Sequence, residues 1–380
     1  MFESEYKPLR RAYGFDEVAL VPGDVTINPD LVDIKLTIKD RVWDIPFMAS
    51  AMDAVVDPKF AIALHRVGGL AVMNLEGVQT RYEDPSSILK EIAEAPDNEV
   101  TALLQRFYSE PIKEHLITQR IKEIKDGGAF AAVSITPQNT KKFAPICVEA
   151  GADALVVQST VTTARHHSKS YYGLSFSELM KTVSIPVIVG NTVSFTGTLE
   201  LMETGVDAIL VGVGPGAACT SREVLGIGVP QITSVIDCSA ARDTYYKSSG
   251  RYVPIVSDGG IRTGGDVCKA FAAGSDAVML GSSFAKTKEA PGGGTEWGMA
   301  TPHPALPRGT RIKLGQNTSI EKLLFGPTSR TDGTENFVGA LRIAMGMCGA
   351  EDVREMHNTQ MVVAPAIKTE GKIYQMLQSE

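Results

Sequence analysis

The chain has 380 residues, of which 43% are hydrophobic and 21% charged, and a formal net charge of −7 at pH 7. That balance argues against a nucleic-acid surface, which needs concentrated positive charge. A phosphorylated small molecule stays possible, because backbone amides hold phosphate without a basic patch.

No apolar run reaches the ~18 residues of a membrane span, and the start MFESEYKPLRR lacks an apolar signal core, so a cytoplasmic protein is expected. The five cysteines, Cys147, Cys219, Cys238, Cys268 and Cys348, are odd in number, widely spaced and without CxxC or His-rich metal spacing. Reduced thiols follow.

The first predicted strand, Pro46–Ser50, runs into MASAMDAV (48–55), where Ser50 can donate to phosphate and Met52 can pack on a flat ring or on the core. A second covers Leu70–Asn74. Residues 75–128 read as a helical connection: DPSSILKEIAEA has a capping start, and EPIKEHLITQRIKEIKDGG is amphipathic and ends in Gly. Strands at Ala129–Ile135 and Asp153–Gln158 come next. The latter opens a near-repeat, EAGADALVVQS (149–159), ETGVDAILVGV (203–213) and AAGSDAVMLGS (272–282). In each unit a glycine stops a helix, an aspartate tightens the turn, and an apolar run buries on both faces as parallel strands do. The loop TARHHSKSYYG (163–173) holds His166 and His167. Without further ligands it reads as a solvated or cofactor-edge loop.

Predicted strands Pro186–Gly190, Asp207–Gly212, Val253–Ser257 and Asp276–Gly281 bring the total to eight. Eight strand–helix units point to the α/β class and one (β/α)8 TIM barrel spanning 1–380, in preference to an open doubly wound sheet. Every polar or Gly-rich motif follows a strand, where a barrel places its active site. After strand 6, GVGPGAACTS (212–221) holds Gly212, Gly214 and Gly216, a stiffening Pro215, and Cys219 at the strand mouth. Cys219 is either a small apolar filler or a thiolate activated by a helix N-terminus and desolvation; its place beside two anion-binding loops favours the second. After strand 7, SDGGIRTGGD (257–266) offers Asp258 to a ribose diol, and Gly259 and Gly260 let amides approach an anion. After strand 8, MLGSSFA (279–285) repeats the pattern with Gly281 and Ser282. Tight turns alone are the plainer reading, but barrels commonly bind phosphate at these two loops. Residues 283–316, rich in Gly and Pro, read as an irregular active-site flap after strand 8. FVGALRIAMGMCGAEDVREM (337–356) returns to helix, and the final residues are expected to drape over a neighbour.

Together these stretches resemble the IMP dehydrogenase and GMP reductase family of purine nucleotide oxidoreductases. YGFDEVALVPGDV (13–25), PFMASAMDAV, VIVGNTV, GVGPGAACTS, VSDGGI, VMLGSSFAKTKEAPG and WGM carry the resemblance over nearly the whole chain. They suggest a divergent IMP dehydrogenase-related branch without the regulatory CBS modules. The resemblance implies that Cys219 attacks purine C2, with Thr220 and Ser221 beside it, and that Asp258 holds the ribose hydroxyls. Gly216, Gly260, Gly281 and Ser282 would cradle the 5′-phosphate, Ser50 and Met52 would border the nucleotide, and Asn191 would sit near the base. Gly298 and Met299 would offer flap backbone to the purine edge. Gln158, with Ser159 and Thr160, falls where the cofactor ribose is held, and the carbonyls of Gly214, Gly216 and Cys219 are candidates for potassium. A homotetramer, or an octamer, with the cofactor reaching a neighbouring subunit is also implied.

Both family reactions pass through one thioimidate at C2. The dehydrogenase passes hydride to NAD and hydrolyses the adduct; the reductase expels ammonia from GMP and takes hydride from NADPH. Typical dehydrogenases carry regulatory modules after strand 2 and a flap Arg-Tyr pair that activates water. Here Arg-Tyr occurs at 81–82 and 251–252 but not in 283–325, which favours GMP reductase (GMP and NADPH to IMP, ammonia and NADP). Several residues depart from the family pattern. Ser221 replaces a threonine, Ala217 a serine and Leu210 a basic residue, and Arg308 stands about where a flap glutamate falls, leaving Glu296 or Glu289 as substitutes. Gln158 replaces an aspartate, which is compatible with the 2′-phosphate of NADPH. IMP dehydrogenase using NAD, and a catalytically silent nucleotide-binding regulator, are the alternatives.

Overall fold

In the computed structural model, which describes residues 9–167, 173–299 and 310–364, eight parallel strands pair in chain order and close on themselves. They are β1 (Phe47–Ala49), β2 (Leu70–Asn74), β3 (Ala132–Ile135), β4 (Ala154–Gln158), β5 (Val187–Thr192), β6 (Ala208–Val211), β7 (Ile255–Asp258) and β8 (Ala277–Leu280), with β8 pairing back onto β1. This is the predicted (β/α)8 barrel, and all eight predicted strands are present. The boundaries move where the ladder does: β3 begins at Ala132 rather than Ala129. β5 runs on to Thr192, because a register shift between Gly190 and Thr192 lets it keep pairing with β6.

The connections are helical: α1 (Pro58–Arg66), α2 (Pro85–Glu94), α3 (Val100–Ser109), α4 (Glu114–Asp126), α5 (Pro137–Glu149), α6 (Phe176–Thr182), α7 (Phe195–Glu203), α8 (Ser221–Leu225), α9 (Gln231–Ser249) and α10 (Gly264–Ala272). After β8 come α11 (Ser282–Ala285), α12 (Ile320–Phe325), α13 (Phe337–Cys348) and α14 (Val353–Met356). The predicted helical connection is α2 to α4. Its start is set by Pro85 at the first position and the Asp84 carboxylate accepting from the Ser86 amide. Among the described residues no helix is long and apolar enough to cross a membrane.

Inside the barrel, side chains step by two along each strand: Leu70 and Val72 on β2, Ala154 and Val156 on β4, Ile188 on β5, Ala208 and Leu210 on β6 share one apolar cluster. The hairpin of Leu36–Ile38 with Arg41–Trp43 adds Leu36, Ile38 and Trp43 to that cluster and plugs the end from which the strands start. A larger apolar layer, including Phe60, Phe284 and Phe337, lies between barrel and helices. The strands Val18–Leu20 and Met361–Val363 pair antiparallel and bring the two ends of the described chain together. The final residues expected to drape over a neighbour, 365–380, lie outside the described residues.

The aspartates of the near-repeat do more than tighten turns. Asp153 Oδ2 accepts from the Ala131 amide at 2.9 Å, Asp207 Oδ2 from Val187 at 2.9 Å and Asp276 Oδ2 from Ile255 at 2.8 Å. Each carboxylate therefore ties the start of its own strand to the start of the strand before it. Gly151, Gly205 and Gly274 enter these turns with φ of 90°, 93° and 113°, where a side chain is disfavoured. Asp276 also accepts from Arg242, whose side chain is 3% exposed, and from the Tyr252 hydroxyl at 2.6 Å.

Asp276→Ala is expected to cost about 3–5 kcal/mol, because it removes the buried partner of the Arg242 guanidinium, leaving it only the exposed Asp243 carboxylate, and strips the Tyr252 hydroxyl and Ile255 amide of their acceptor. Asp153→Ala, whose partner Lys125 is partly exposed, is expected to cost about 1–3 kcal/mol. Urea unfolding midpoints of the two variants check the order.

Candidate active site

The two-residue step that keeps the barrel apolar turns polar at its last inward position. Leu70 and Val72 are followed by Asn74, Ala132 by Ser134, Ala154 and Val156 by Gln158, Val256 by Asp258, and Met48 by Ser50; all five polar residues line a cleft of about 1070 Å³ at the C-terminal ends of the strands. The residues given a catalytic, substrate, cofactor or potassium role from the sequence line that cleft: Cys219, Thr220 and Ser221; Ser50, Met52, Asn191 and Asp258; Gly214, Gly216, Gly259, Gly260, Gly281 and Ser282; Gly298 and Met299; Gln158, Ser159 and Thr160.

At the floor, Asp258 Oδ2 accepts from Asn191 Nδ2 at 2.8 Å and from Gln158 Nε2 at 3.2 Å, and Gln158 Nε2 also donates to Asn191 Oδ1 at 3.0 Å. Burial pushes the Asp258 carboxyl up to about 6, against the opposing pull of its bonds to Asn191, Ser50 and Gln158. The register shift in β5 is what turns Asn191 inward next to the inward Gly190. Gln158, expected at the cofactor ribose, is a member of this trio and lines the cleft. Ser159 bonds the Val161 carbonyl at 2.8 Å within its own loop.

The β6 loop is fitted against β7. Gly212 has φ 152°, and a Cβ there would lie 2.2 Å from the Asp258 carbonyl oxygen; a Cβ on Gly260 would lie 3.1 Å from Pro215 Cβ. These contacts hold Cys219 beside the Gly259–Gly260 turn. Its amide donates to the Gly216 carbonyl at 3.1 Å, and its Sγ lies 3.4 Å from Ser221 Oγ. The helix after Cys219, expected to activate the thiol by its dipole, is the five-residue α8, capped by Thr220 without a side-chain bond. Burial pushes the thiols of Cys147, Cys238 and Cys268 up to about 12, so these three stay protonated.

Two of the candidate potassium carbonyls have close neighbours. The Gly216 carbonyl is already an acceptor for Cys219, and the Arg222 side chain crosses the loop, with its Nε 2.9 Å from the position of a Gly214 Cβ.

The flap rests on the helical connection. Its strands Thr295–Trp297 and Arg311–Lys313 pair antiparallel. Trp297 is fully buried, and its Nε1 donates to the Tyr108 hydroxyl at 2.9 Å; that hydroxyl donates to Asp53 at 2.6 Å. Arg311 donates to the carbonyls of Ile92 and Ala95 at 2.7 Å each and pairs with Asp97. Helices α2 and α3 thus carry the strands that bring Gly298 and Met299 to the cleft. The structure also separates the two substitute glutamates. Glu289 accepts from the Ile320 amide at 3.0 Å at the start of α12, whereas Glu296 lines the cleft and accepts from Ser282 Oγ at 2.5 Å. Arg308 and residues 168–172 of the histidine loop lie outside the described residues. Both Arg-Tyr pairs are used elsewhere. Arg81 donates to the Glu76 carbonyl and Tyr82 to the Phe107 carbonyl, while Arg251 pairs with Asp207 and Tyr252 with Asp276. Leu210 is part of the apolar interior.

Sequence reading assigned no role to Phe15, Asn74, Ser134 or Arg262, which also line the cleft. For Asn74 and Ser134 a signal existed: each stands two residues beyond an inward apolar residue. Arg262 reaches back 246 residues to Asp16 at 2.6 Å, a pairing with no local signature. Sub-stoichiometric iodoacetamide at pH 8 is expected to label Cys219 on the native protein, with Cys147, Cys238 and Cys268 reacting only after unfolding; peptide mapping checks this.

Comparison with known proteins agrees with this geometry. Residues 12–298 match the family described as IMP dehydrogenase / GMP reductase domain. The chain is 36% identical over 364 residues to an uncharacterised oxidoreductase of Mycobacterium leprae, covering 93% of this chain and 97% of that one. It is 28% identical to an inosine-5′-monophosphate dehydrogenase of Streptococcus pyogenes over a 472-residue alignment, covering 94% and 93%. A solved IMP dehydrogenase/GMP reductase-like protein from Corynebacterium glutamicum superposes with a TM-score of 0.89 at 35% identity, covering 96% of this chain and 97% of the other. The chain belongs to the IMP dehydrogenase / GMP reductase family of oxidoreductases.

Proposed function

We propose that the protein is an NADPH-dependent GMP reductase that forms a covalent thioimidate between Cys219 and purine C2. The observation that carries this reading is the pairing of Cys219 Sγ with Ser221 Oγ at 3.4 Å inside the cleft, together with the structural use of both Arg-Tyr pairs away from it. A thiol that donates to a hydroxyl can pass its proton through Ser221 to the departing 2-amino group while sulfur bonds to C2. The carbon–nitrogen bond then breaks, ammonia leaves, and the thioimidate remains. Conversion of the adduct to IMP takes a hydride, which NADPH would supply when bound in the cleft. Breaking the carbon–sulfur bond returns Cys219, and solvent supplies the remaining protons.

The rest of the cleft suits such a substrate. The Asp258 carboxylate accepts from a ribose diol, while Asn191 and Gln158 hold it in place. Gly259, Gly260, Gly281 and Ser282 converge from the loops after β7 and β8, where barrels bind phosphate. Beyond the trio the cleft continues over β2 to β4, along Asn74, Glu76, Ser134, Thr136 and Ser159 to Thr163. This polar lobe offers hydroxyl and amide partners to a dinucleotide, and it contains no carboxylate at position 158 to repel a 2′-phosphate.

The purified protein given GMP and NADPH is expected to consume NADPH at 340 nm and release ammonia. NADH formation from IMP and NAD, without that activity, overturns the assignment in favour of IMP dehydrogenase. Cys219→Ala is expected to lose turnover by several orders of magnitude while still binding GMP. Ser221→Ala is expected to lower kcat about 10²–10⁴-fold with little change in KM, the signature of a proton-transfer residue.

A further inference from the structure

Glu296 is out of keeping with an anion site. It sits on the flap strand with 1% of its surface exposed, and its Oε1 lies 2.5 Å from the hydroxyl of Ser282. Its other oxygen, Oε2, is buried and has no hydrogen-bond partner among the described residues. That oxygen faces the space above Gly281. A Cβ built there would lie 3.7 Å from Glu296 Oε2, 3.7 Å from Ser50 Oγ and 2.9 Å from Met52 Sδ. One donor is far too little for a buried carboxylate, which needs several to replace its lost hydration.

The surroundings bring one compensating charge to bear, without a hydrogen bond to Oε2. From the β8 loop and α11 come Ser282 and, as the charged side chain acting on the group, Lys286. From the β1 loop come Ser50 and Met52, neither of them charged. Ile312 stands opposite on the paired flap strand, and its neighbour Arg311 is turned away to Ile92, Ala95 and Asp97. Asp258, beyond Ser50, is itself acidic.

We propose that Glu296 works as a neutral carboxylic acid that controls whether the β8 loop can hold phosphate, so that the nucleotide's phosphate binds together with one proton. This rests on the reading of the cleft as a purine 5′-monophosphate site. The 2.5 Å bond can run in either direction. As a carboxylate, Glu296 accepts the hydrogen bond of the Ser282 hydroxyl, leaving that hydroxyl with lone pairs toward an arriving phosphate and a second negative charge beside it. As an acid, Glu296 donates to Ser282 Oγ, and the Ser282 proton is free to donate to phosphate. Burial raises the carboxyl above the usual glutamate range, opposed by Ser282 and Lys286, which is the direction the acid form requires. Protonation is favoured below the raised value and lost above it, so phosphate affinity falls as pH rises.

Isothermal titration of the wild-type protein with GMP and with guanosine, from pH 7 to 9, tests this. In that window the phosphate, with a second pKa of about 6, is dianionic and Asp258 is ionised. Kd for GMP is expected to weaken toward tenfold per pH unit while Kd for guanosine stays flat. Titrations in buffers of different ionisation enthalpy are expected to show proton uptake with GMP alone. Glu296→Gln, permanently neutral and able to donate to Ser282, is expected to bind GMP with no slope and with the greater advantage over wild type at pH 9. A wild-type GMP affinity equal at pH 7 and 9 overturns the proposal, as does a slope unchanged in Glu296→Gln. Absence of any GMP or IMP binding instead overturns the nucleotide reading beneath it. The wild-type comparison of GMP with guanosine needs no variant to fold.

Discussion

Closure of the barrel is the constraint from which the rest follows. Once β8 pairs with β1, each strand has two hydrogen-bonded neighbours and no edge, and alternate side chains must point into a shared interior. That interior is sealed at one end by Leu36, Ile38 and Trp43 and filled with aliphatic side chains through its middle. The next inward layer therefore has only the open end to face, and there the residues change to Asn74, Ser134, Gln158 and Asp258. The cleft is the top of the same packing that makes the core. The Asp153, Asp207 and Asp276 ties work at the opposite end, where they set the relative height of neighbouring strands and so the height at which each polar residue emerges.

The helical segment between β2 and β3 has a role that its position alone does not announce. By burying Trp297 beside Leu89, Ile92, Leu104 and Phe107, and by receiving Arg311 at the end of α2, it acts as a shelf for the flap. Buried aromatic surface and three well-placed hydrogen bonds are enough to hold a two-stranded ribbon that could not be stable alone. Flap residues Glu296, Gly298 and Met299 then meet the β8 loop from above, so the site has a floor made by the barrel and a roof carried by α2 and α3.

Charge in the cleft is arranged against intuition for a phosphate ligand. Arg262 is already paired with Asp16 and Asp266, and Arg222 bonds the Val229 carbonyl. Carboxyl groups at Asp258 and Glu296 are both shifted upward by burial. Anion binding of the kind proposed must come from backbone amides and hydroxyls, which agrees with a chain of net charge −7.

What the sequence determined by itself was everything that depends on near neighbours. The Gly-x-Asp turns announced strands β4, β6 and β8, the apolar runs marked the others, and the glycines of 212–216, 259–260 and 281 marked close backbone approaches that the structure bears out at Gly212 and Gly260. The cysteine in that setting stood out from four others that burial keeps protonated or raised. Only the tertiary structure decided which side chains answer one another. Gln158 bonds Asp258 across 100 residues, Asn191 turns inward through a register shift invisible in its own segment, and Trp297 finds Tyr108 across 189. The choice between Glu289 and Glu296 was of the same kind: one caps a helix and the other meets Ser282. A residue's tendency to form strand or turn is written in the few positions around it, whereas the partner of a polar group is set by where barrel closure delivers a distant strand.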